Sequence, residues 1–467
     1  MDVVLCLVRF VDVFMKSLFC ILFVLNVFRT SEWKLEAASP ALDSSPISLS
    51  ASVLGDLFEE ARTNNSGLHL VEARTSASRL GIQTVRSWED PKFSLGGILA
   101  GPRRGTLDVE GDIVYGVEQK LPLWDRPRLS RDIIVAETQT QATEAAFRGT
   151  QLRRDITKVL LRIALVHRTV GFVTNDLAWL DTLIALNEEK FRVGMSSHTD
   201  ILQIQNEKSR RTDALRTEQS RLRTEQAALN RLLGRDLQAP WPSVELPRLM
   251  PPVAYSPALA GYAATNEPRI KVLRQEKSQA QALTRLTETM RRPDISLGIQ
   301  GRQYSGDAGF REGMFTVSLN LPWWNAPKYR ADLRRDEAKV RTVEAELADY
   351  ELSVREEVLR LTLASDTAYR EAVLYRDEIL QRAQQAMASH FVLWEGNRGA
   401  LRDILDARRA FLEAQLMQDR AIVEQHQALA DLAALCDLPD HFQLAPLLVQ
   451  LNSRPPHQHP VAASPNK

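Results

Sequence analysis

The sequence has few cysteines, no excess of charge of either sign and few aromatic residues. Its 467 residues include three cysteines, 59 Lys and Arg against 59 Asp and Glu, and 7% aromatic side chains. So few cysteines exclude a disulfide-rich scaffold and a cysteine-rich zinc module. The balanced charge argues against nucleic acid as a partner, because contacts to phosphates need a basic surface.

The N-terminal residues 1–28 are strongly apolar. From Met15 the chain reads as a second start, in which Lys16 precedes an apolar run from Leu18 to Val27. A positive charge, a short apolar core and a polar continuation are typical of a secretory signal peptide. The sequence therefore predicts a signal peptide over residues 1–38, with Met15 as a candidate start. An uncleaved membrane anchor is the alternative.

The chain repeats itself at an interval of about 200 residues. Short motifs of the first half recur in the same order in the second half: Thr63-Asn64 as Thr265-Asn266, Pro91 as Pro293, Leu121-Pro122 as Leu321-Pro322, and Asp200-Ile201-Leu202 as Asp403-Ile404-Leu405. A proline-rich segment between the halves suits an extended linker. The sequence predicts a first repeat at 48–237, a linker at 238–257, a second repeat at 258–440 and a disordered C-terminal tail at 441–467.

Long helices dominate the predicted structure. Each half is expected to begin with a moderate helix, at 49–88 and 256–291, and to end with two long ones. Residues 328–395 contain neither Gly nor Pro, and a continuous helix of that length would span ~100 Å. Apolar residues recur there at steps of three and four, as in a coiled-coil seam. The seam comprises Val340, Val343, Leu347, Tyr350, Val354, Val358 and Leu361.

Four short segments between these helices alternate apolar side chains with small or polar ones. They are residues 93–99, 112–118, 294–300 and 315–321. Their length is close to that of a membrane strand, although the pattern fits soluble hairpins equally well. Trp124, Trp323 and Trp324 follow the second strand of each pair and suit a membrane interface, which favours membrane strands. Four strands cannot close a barrel in lipid, so several copies of the chain would have to share one.

The signal peptide, the repeat, the strand pairs and the long helices together resemble the TolC family of outer-membrane efflux proteins. Leu229-Asn230-Arg231-Leu232-Leu233-Gly234 resembles the end of the family's first repeat, and residues 121–127 and 321–327 resemble its heavy-metal, CzcC-like branch. The resemblance implies a mainly α homotrimer in the outer membrane of a Gram-negative bacterium. Four strands per chain would form a shared twelve-stranded β-barrel, and antiparallel coiled-coil helices a periplasmic α-barrel.

The resemblance also assigns a role to the turns between the long helices. Phe191-Arg192-Val193-Gly194-Met195 resembles the first turn, where Val193, Gly194 and Met195 would dock a periplasmic adaptor protein. Gly396 would contribute to docking from the second turn. The second turn departs from the family pattern, because Glu395 replaces a valine and the segment from Gly396 to Asp403 is one residue longer than usual.

Asp403 and Asp406 lie three residues apart and therefore on one side of a helix. In a trimer they would form two acidic rings, which bind cations and restrict flow at a narrow pore mouth. The resemblance assigns them to a periplasmic gate in which Arg398 pairs with Thr199 and Asp200 of the neighbouring turn. The alternative is that these are ordinary charges on a solvated helix face.

The sequence contains no catalytic motif, and its eight histidines are scattered. His457 and His459 are more typical of a solvated tail than of a metal site. We therefore expect no enzymatic activity, cofactor or metal site. The predicted function is a passive outer-membrane channel of a tripartite efflux system, which exports small solutes or metal cations with a periplasmic adaptor and an inner-membrane transporter of the RND type. The alternative is a periplasmic coiled-coil scaffold anchored by an uncleaved N-terminal segment.

Overall fold

A computed structural model of the chain describes residues 46–99, 111–304 and 310–453. The predicted signal peptide and the histidines His457 and His459 lie outside these residues. Among the residues that are described, no helix combines the length and the apolar composition needed to cross a membrane.

Both halves of the chain have the same order of elements: two short helices, two strands and a pair of long helices. The first half contains α1 (Ala51–Asn64), α2 (Ser66–Thr84), β1 (Lys92–Leu99), β2 (Gly111–Lys120), α3 (Arg126–Arg192) and α4 (His198–Leu233). The second half contains α5 (Pro257–Asn266), α6 (Pro268–Thr289), β3 (Asp294–Tyr304), β4 (Phe310–Asn320), α7 (Ala326–Leu374), α8 (Leu380–Glu395) and α9 (Leu401–Leu435). A π-helical turn, Tyr375–Ile379, joins α7 to α8.

Each predicted moderate helix is in fact two helices, because a polar side chain caps a new helix in its middle. Asn65 Oδ1 accepts a hydrogen bond from the Leu68 amide at 3.0 Å. Glu267 Oε2 accepts one from the Ile270 amide at 2.7 Å. Such a cap satisfies an amide that has no partner within the helix. The predictions of single helices at 49–88 and 256–291 were therefore wrong.

The long helices pack along the predicted coiled-coil seam. Val354, Val358 and Leu361 are buried, and the remaining seam residues are half-buried. From Leu347 to Leu361 the seam belongs to an apolar core that also includes Leu259 of α5 and Leu429 of α9. The spacing of apolar residues in the sequence therefore identified the buried face of α7.

The chain after residue 440 is ordered at its start, although the whole of 441–467 was predicted to be a disordered tail. Helix α10 (Leu444–Ser453) buries Leu444 and Leu447 against the core of the second half. His441 is buried and lies 3.0 Å from His426, ring nitrogen to ring nitrogen. Burial lowers the pKa of His441 to about 3, so this contact joins neutral imidazoles. Apolar burial fixes this segment and makes the prediction wrong for 441–453.

The four strands form one antiparallel sheet in the order β1-β2-β3-β4. The strands contain eight to eleven residues. The last strand was predicted to end at Leu321, but β4 ends one residue earlier, at Asn320. Pro322 follows Leu321 and has no amide hydrogen with which to extend the ladder. Within the described part of the chain, the edge strands β1 and β4 have no further neighbour.

The two faces of the sheet differ in polarity. One row across the four strands consists of the apolar side chains Phe93, Val117, Ile299 and Phe315. Phe93 is 69% exposed and Phe315 is 66% exposed. The adjacent row on the other face is polar or small: Lys92, Glu118, Gly298 and Thr316. The sheet thus presents an apolar face that no other described part of the chain covers.

Substitution of Gly234 tests whether the C-terminal end of α4 requires a glycine. It follows α4 with φ 72°, and a Cβ there would lie 2.3 Å from the carbonyl oxygen of Asn64. We expect Gly234→Ala to lower the free energy of unfolding by ~2 kcal/mol or more, because the left-handed backbone alone costs ~1–2 kcal/mol. Denaturant titration followed by circular dichroism measures this change.

Gly171 is the matched control, since it lies inside α3 and a Cβ added there would have nothing within 4 Å. Gly171→Ala should leave stability unchanged or raise it by up to ~1 kcal/mol, because alanine is the better helix former. Equal unfolding midpoints for the two variants would contradict this account of the α4 end.

Candidate functional site

The long helices of each half are joined by a short turn. We call residues 193–197, between α3 and α4, the first tip, and residues 396–400, between α8 and α9, the second tip. In the first tip Gly194 adopts φ 77°, and in the second tip Asn397 adopts φ 59°. Asparagine is among the few residues that tolerate this left-handed conformation. Asn397, and not Gly396, is therefore the structural counterpart of Gly194.

The resemblance counted one extra residue between Gly396 and Asp403. Counted from Asn397 instead, the second tip has the same spacing as the first. Asp200 follows Gly194 by six residues, and Asp403 follows Asn397 by six. The amides that follow the left-handed residues make matching bonds, from Met195 to the Lys190 carbonyl and from Arg398 to the Leu393 carbonyl, both at 2.8 Å. The second tip thus reverses the chain at a different residue from the one that the motif suggested.

The two tips present different side chains. Val193 and Met195 of the first tip are 67% and 58% exposed. Their counterparts in the second tip are Gly396 and Arg398, which are also exposed but offer no apolar side chain. The predicted docking residues therefore lie at the surface, and only the first tip carries an apolar patch at its turn.

The predicted gate residues Thr199 and Asp200 lie in the first turn of α4, and Asp200 also caps this helix. The Asp200 carboxylate accepts a hydrogen bond from the Ser197 amide at 3.2 Å, and the Ser197 hydroxyl accepts one from the Asp200 amide at 3.2 Å. This reciprocal pair is a capping box for α4. Thr199 and Arg398 are exposed, and Arg398 forms no ion pair with any residue that the structure describes. Within one chain, the geometry does not bring Arg398 and Asp200 together.

Asp403 and Asp406 both lie on the exposed side of α9, away from the buried Ile404. They differ in their partners. Asp406 is 3.1 Å from Arg409 Nη1 and 3.6 Å from Arg402 Nε. Asp403 has no ion-pair partner in the described part of the chain. Of the two predicted ring carboxylates, Asp403 therefore carries the less compensated charge.

A lysine beside the tips connects the end of α3 to the end of α8, and no pattern in the sequence pointed to it. Lys190 Nζ donates to the carbonyl oxygens of Trp394 at 2.5 Å and Glu395 at 3.2 Å. It also lies 4.0 Å from the centre of the Trp394 ring. The last carbonyls of α8 carry partial negative charge, so a cation stabilises this helix end. Lys190, at the end of α3, thereby holds the second tip against the first.

Further from the tips, two buried carboxylates of the first half meet two consecutive arginines of the second. Arg408 Nε lies 2.8 Å from Asp176 Oδ1, and Arg409 Nη2 lies 2.6 Å from Glu207 Oε2. The hydrogen bond from Arg409 is the main reason that the pKa of Glu207 is lowered. These contacts join residues more than 200 positions apart, which is why the sequence did not reveal them.

The predicted interface tryptophans lie where the sheet meets the helices. Trp124 donates from Nε1 to the Pro293 carbonyl at 2.8 Å, and Trp324 is 87% exposed. Trp323 is exposed beside it. Trp88, which is also exposed, precedes β1 at this same end of the sheet and was missed. Its position three residues before the repeated Pro91 was the available signal.

No group of three or more metal-binding side chains lies together among the described residues.

Part of the second half of the chain matches a known protein family. Residues 259–436 match the family model described as outer membrane efflux protein. This match covers much of the second half, and less than half of the whole chain. No curated protein matches the sequence significantly.

The fold is that of solved outer-membrane channels. The CmeC outer membrane channel of Campylobacter jejuni aligns with TM-score 0.71 and 13% identity, over 86% of this chain and 89% of that one. The MtrE outer membrane channel of Neisseria gonorrhoeae, in its open state, aligns with TM-score 0.65 and 16% identity, over 83% and 89%. CusC, from a study of transmembrane channel formation, aligns with TM-score 0.72 and 15% identity, over 82% and 91%.

The link between the tips leads to a prediction for Lys190. Lys190→Met keeps the apolar contact with Trp394 but removes the charge that caps α8. We expect amides of the second tip to exchange faster with solvent, equivalent to ~1–2 kcal/mol of local stability. Hydrogen exchange measured by mass spectrometry reports this opening.

The control for Lys190 is Arg192→Met, since Arg192 pairs with Glu189 of its own helix at 3.0 Å and is exposed. It should leave exchange in the second tip unchanged. If both variants behave like the parent chain, Lys190 does not hold the tips together.

Proposed function

We propose that this chain is a member of the outer membrane efflux protein family and forms a passive channel that exports solutes across the periplasm and the outer membrane of a Gram-negative bacterium. The observation that carries the proposal is the sheet, which has an exposed apolar face and open edges and is joined to helices long enough to reach deep into the periplasm. The 67 residues of α3 span ~100 Å at 1.5 Å per residue. The family match and the channel fold support the same conclusion.

The sheet supports a shared barrel. In lipid, the free backbone groups of β1 and β4 would have no partner, so another copy of the chain must supply one. Pairing β4 of one copy with β1 of the next is a head-to-tail contact, which closes into a ring. The family resemblance makes this ring a homotrimer of twelve strands, with the apolar face toward lipid and the polar face toward the channel.

The tryptophans at the rim of the sheet fit this arrangement. Trp124, Trp323 and Trp324, together with Trp88, would lie at the periplasmic surface of the outer membrane. Indole rings favour this zone because they combine an apolar body with a polar N–H group.

The tips are the proposed contact with the rest of an efflux system. The exposed apolar patch of Val193 and Met195, with Gly194 between them and Gly396 from the second tip, would dock a periplasmic adaptor. An inner-membrane transporter, of the RND type by family resemblance, would supply the energy and select the substrate. Small solutes or metal cations are the proposed cargo, the latter because the strand ends resemble the heavy-metal branch.

The proposed gate lies on the neighbouring helix ends. In a trimer the exposed Asp403 and Asp406 would form acidic rings at the channel entrance. Arg398 could reach Thr199 and Asp200 of an adjacent chain, since it has no ion-pair partner among the described residues of its own. Proteins of this family are channels and not enzymes, and we assign no catalytic role to any residue.

Cell fractionation tests the proposal directly. We expect the mature chain in the outer-membrane fraction, extracted by detergent as a complex with the mass of three chains, because the open sheet edges require partners in lipid. Native mass spectrometry measures the complex. A monomer or dimer in the soluble or inner-membrane fraction would instead favour the coiled-coil scaffold anchored by its N-terminus.

Channel recordings test the gate. In planar bilayers we expect Mg²⁺ on the tip side to reduce the current, because stacked carboxylates bind cations at a narrow entrance. Asp403→Asn should weaken this block several-fold, and more than Asp406→Asn, since Arg402 and Arg409 already compensate Asp406. Equal and unchanged block in both variants would place the cation site elsewhere.

A further inference from the structure

Two segments of the chain cross between its halves. The proline-rich linker packs Leu246 against the core of the first half and Val253 into the core of the second. The segment 441–453, which we call the strap, packs Phe442 against the first core and Leu444 into the second. The linker and the strap therefore both tie the halves together through apolar contacts with each core.

Two buried histidines join these segments to α9. His426 of α9 and His441 of the strap are both buried. His426 Nε2 lies 2.9 Å from the carbonyl oxygen of Arg248 in the linker, and its Nδ1 lies 3.0 Å from His441 Nε2. The neighbouring Gln425 accepts a hydrogen bond from the Met250 amide at 3.1 Å and donates one to the Met250 carbonyl at 2.7 Å. The linker and the strap thus meet on consecutive residues of one helix.

The hydrogen bonds fix which ring nitrogens carry a hydrogen. A carbonyl oxygen only accepts, so His426 Nε2 donates to Arg248. His426 Nδ1 is then an acceptor, and His441 Nε2 is the donor of the bond between the rings. This leaves His441 Nδ1 without a hydrogen, and it is buried with no partner among the described residues. Any further proton on the pair has to bind one of the two Nδ1 atoms.

A proton on either Nδ1 disrupts this arrangement. On His426 it removes the acceptor on which the bond from His441 depends. On His441 it creates a buried charge and an N–H group with nothing to accept its hydrogen, both of which are costly in a protein interior. Burial accordingly lowers the pKa of both rings, that of His441 to about 3.

The charged groups around the pair do not compensate such a proton. Of the histidines that the structure describes, only His69 forms an ion pair with a carboxylate. Asp440, next to His441, is used as a cap and accepts a hydrogen bond from the Phe442 amide at 2.9 Å. The charged residues that α3, α9 and the linker bring to this region are Arg153, Arg154, Lys158, Asp419, Asp431, Glu245 and Arg248.

We propose that His426 and His441 form an acid-sensitive switch, in which a proton on either ring detaches the strap from both cores and loosens the linker beside it. The proposal goes beyond the proposed channel function, because every contact in it belongs to one chain and needs neither a membrane nor a trimer. The neutral pair holds the halves together at this level, and the protonated pair removes one of their two ties.

The direction of the response follows from the burial of the rings. A solvated histidine binds a proton near pH 6.5, whereas the buried pair resists protonation, so the closed strap loses stability as the pH falls below that value. One such histidine shifts the equilibrium toward the open strap by about tenfold per pH unit. Asp419, whose pKa burial raises, favours the folded state in acid and therefore acts in the opposite direction.

Hydrogen exchange of the purified full-length protein tests the switch. We compare the strap at about pH 7.5 and about pH 5.0 after correction for intrinsic rates, and expect opening to rise by at least about 30-fold in acid. Amides beside Leu180 and Leu183 of α3, ~40 Å along that helix from Arg154 at 1.5 Å per residue, should change far less. An unchanged strap in the parent protein would overturn the proposal.

Variants identify the groups that respond. We define the acid ratio as strap opening at the lower pH divided by strap opening at the higher pH, which cancels any loss of stability common to both. His441→Gln and His426→Gln should each lower the acid ratio by about tenfold or more, since each removes one titrating ring. The double variant should approach a ratio of one. If its strap is already open at the higher pH, the single variants decide, and a parent-like ratio in both would overturn the switch.

The matched control is His167→Gln. His167 of α3 accepts a hydrogen bond from the Val244 amide of the linker at 3.2 Å, and burial lowers its pKa as well. Its partner is the linker and not the strap, so the variant should keep the acid ratio of the parent. A fall equal to that of His441→Gln would contradict the switch. A parent protein that forms neither trimers nor channels would overturn the proposed function and leave this test unaffected.

Discussion

Backbone pairing at the sheet is the constraint on which the rest of the structure depends. The four strands pair with one another at their inner edges, and the described residues leave the outer edges of β1 and β4 unpaired and an apolar face uncovered. A sheet of this kind is unstable alone in water and in lipid, since the exposed face favours lipid while the free edges require partners. The proposals of a membrane location and of assembly both follow from this one feature.

The long helices extend the two halves away from the sheet in the same way. Polar side chains cap the short helices at Asn65 and Glu267, and left-handed residues reverse the chain at Gly194 and Asn397. The halves thus reach the same backbone geometry with different residues. The tip surfaces nevertheless differ, because an apolar turn in one half corresponds to a polar turn in the other.

Polar contacts near the tips have a different character from those at the turns. Asp176 and Glu207 are buried and paired with arginines from the opposite half of the chain, whereas Asp403 and Arg398 are exposed and have no such partners in the described part of the chain. Buried pairs hold one arrangement of the halves, and exposed charges remain available to a cation or a neighbouring chain. The buried ion pairs and the exposed, unpaired charges therefore lie at different levels along the helices.

Periodicity and the placement of Gly and Pro within short windows were enough to predict the long helices, the seam of α7 and the two strand pairs. The sequence alone failed at the helix breaks, where one capping side chain decided the outcome, and in the start of the tail, which apolar burial against the core holds in place. Only the tertiary structure paired Arg408 with Asp176 and Lys190 with the end of α8, since these contacts join residues more than 200 positions apart and leave no local pattern.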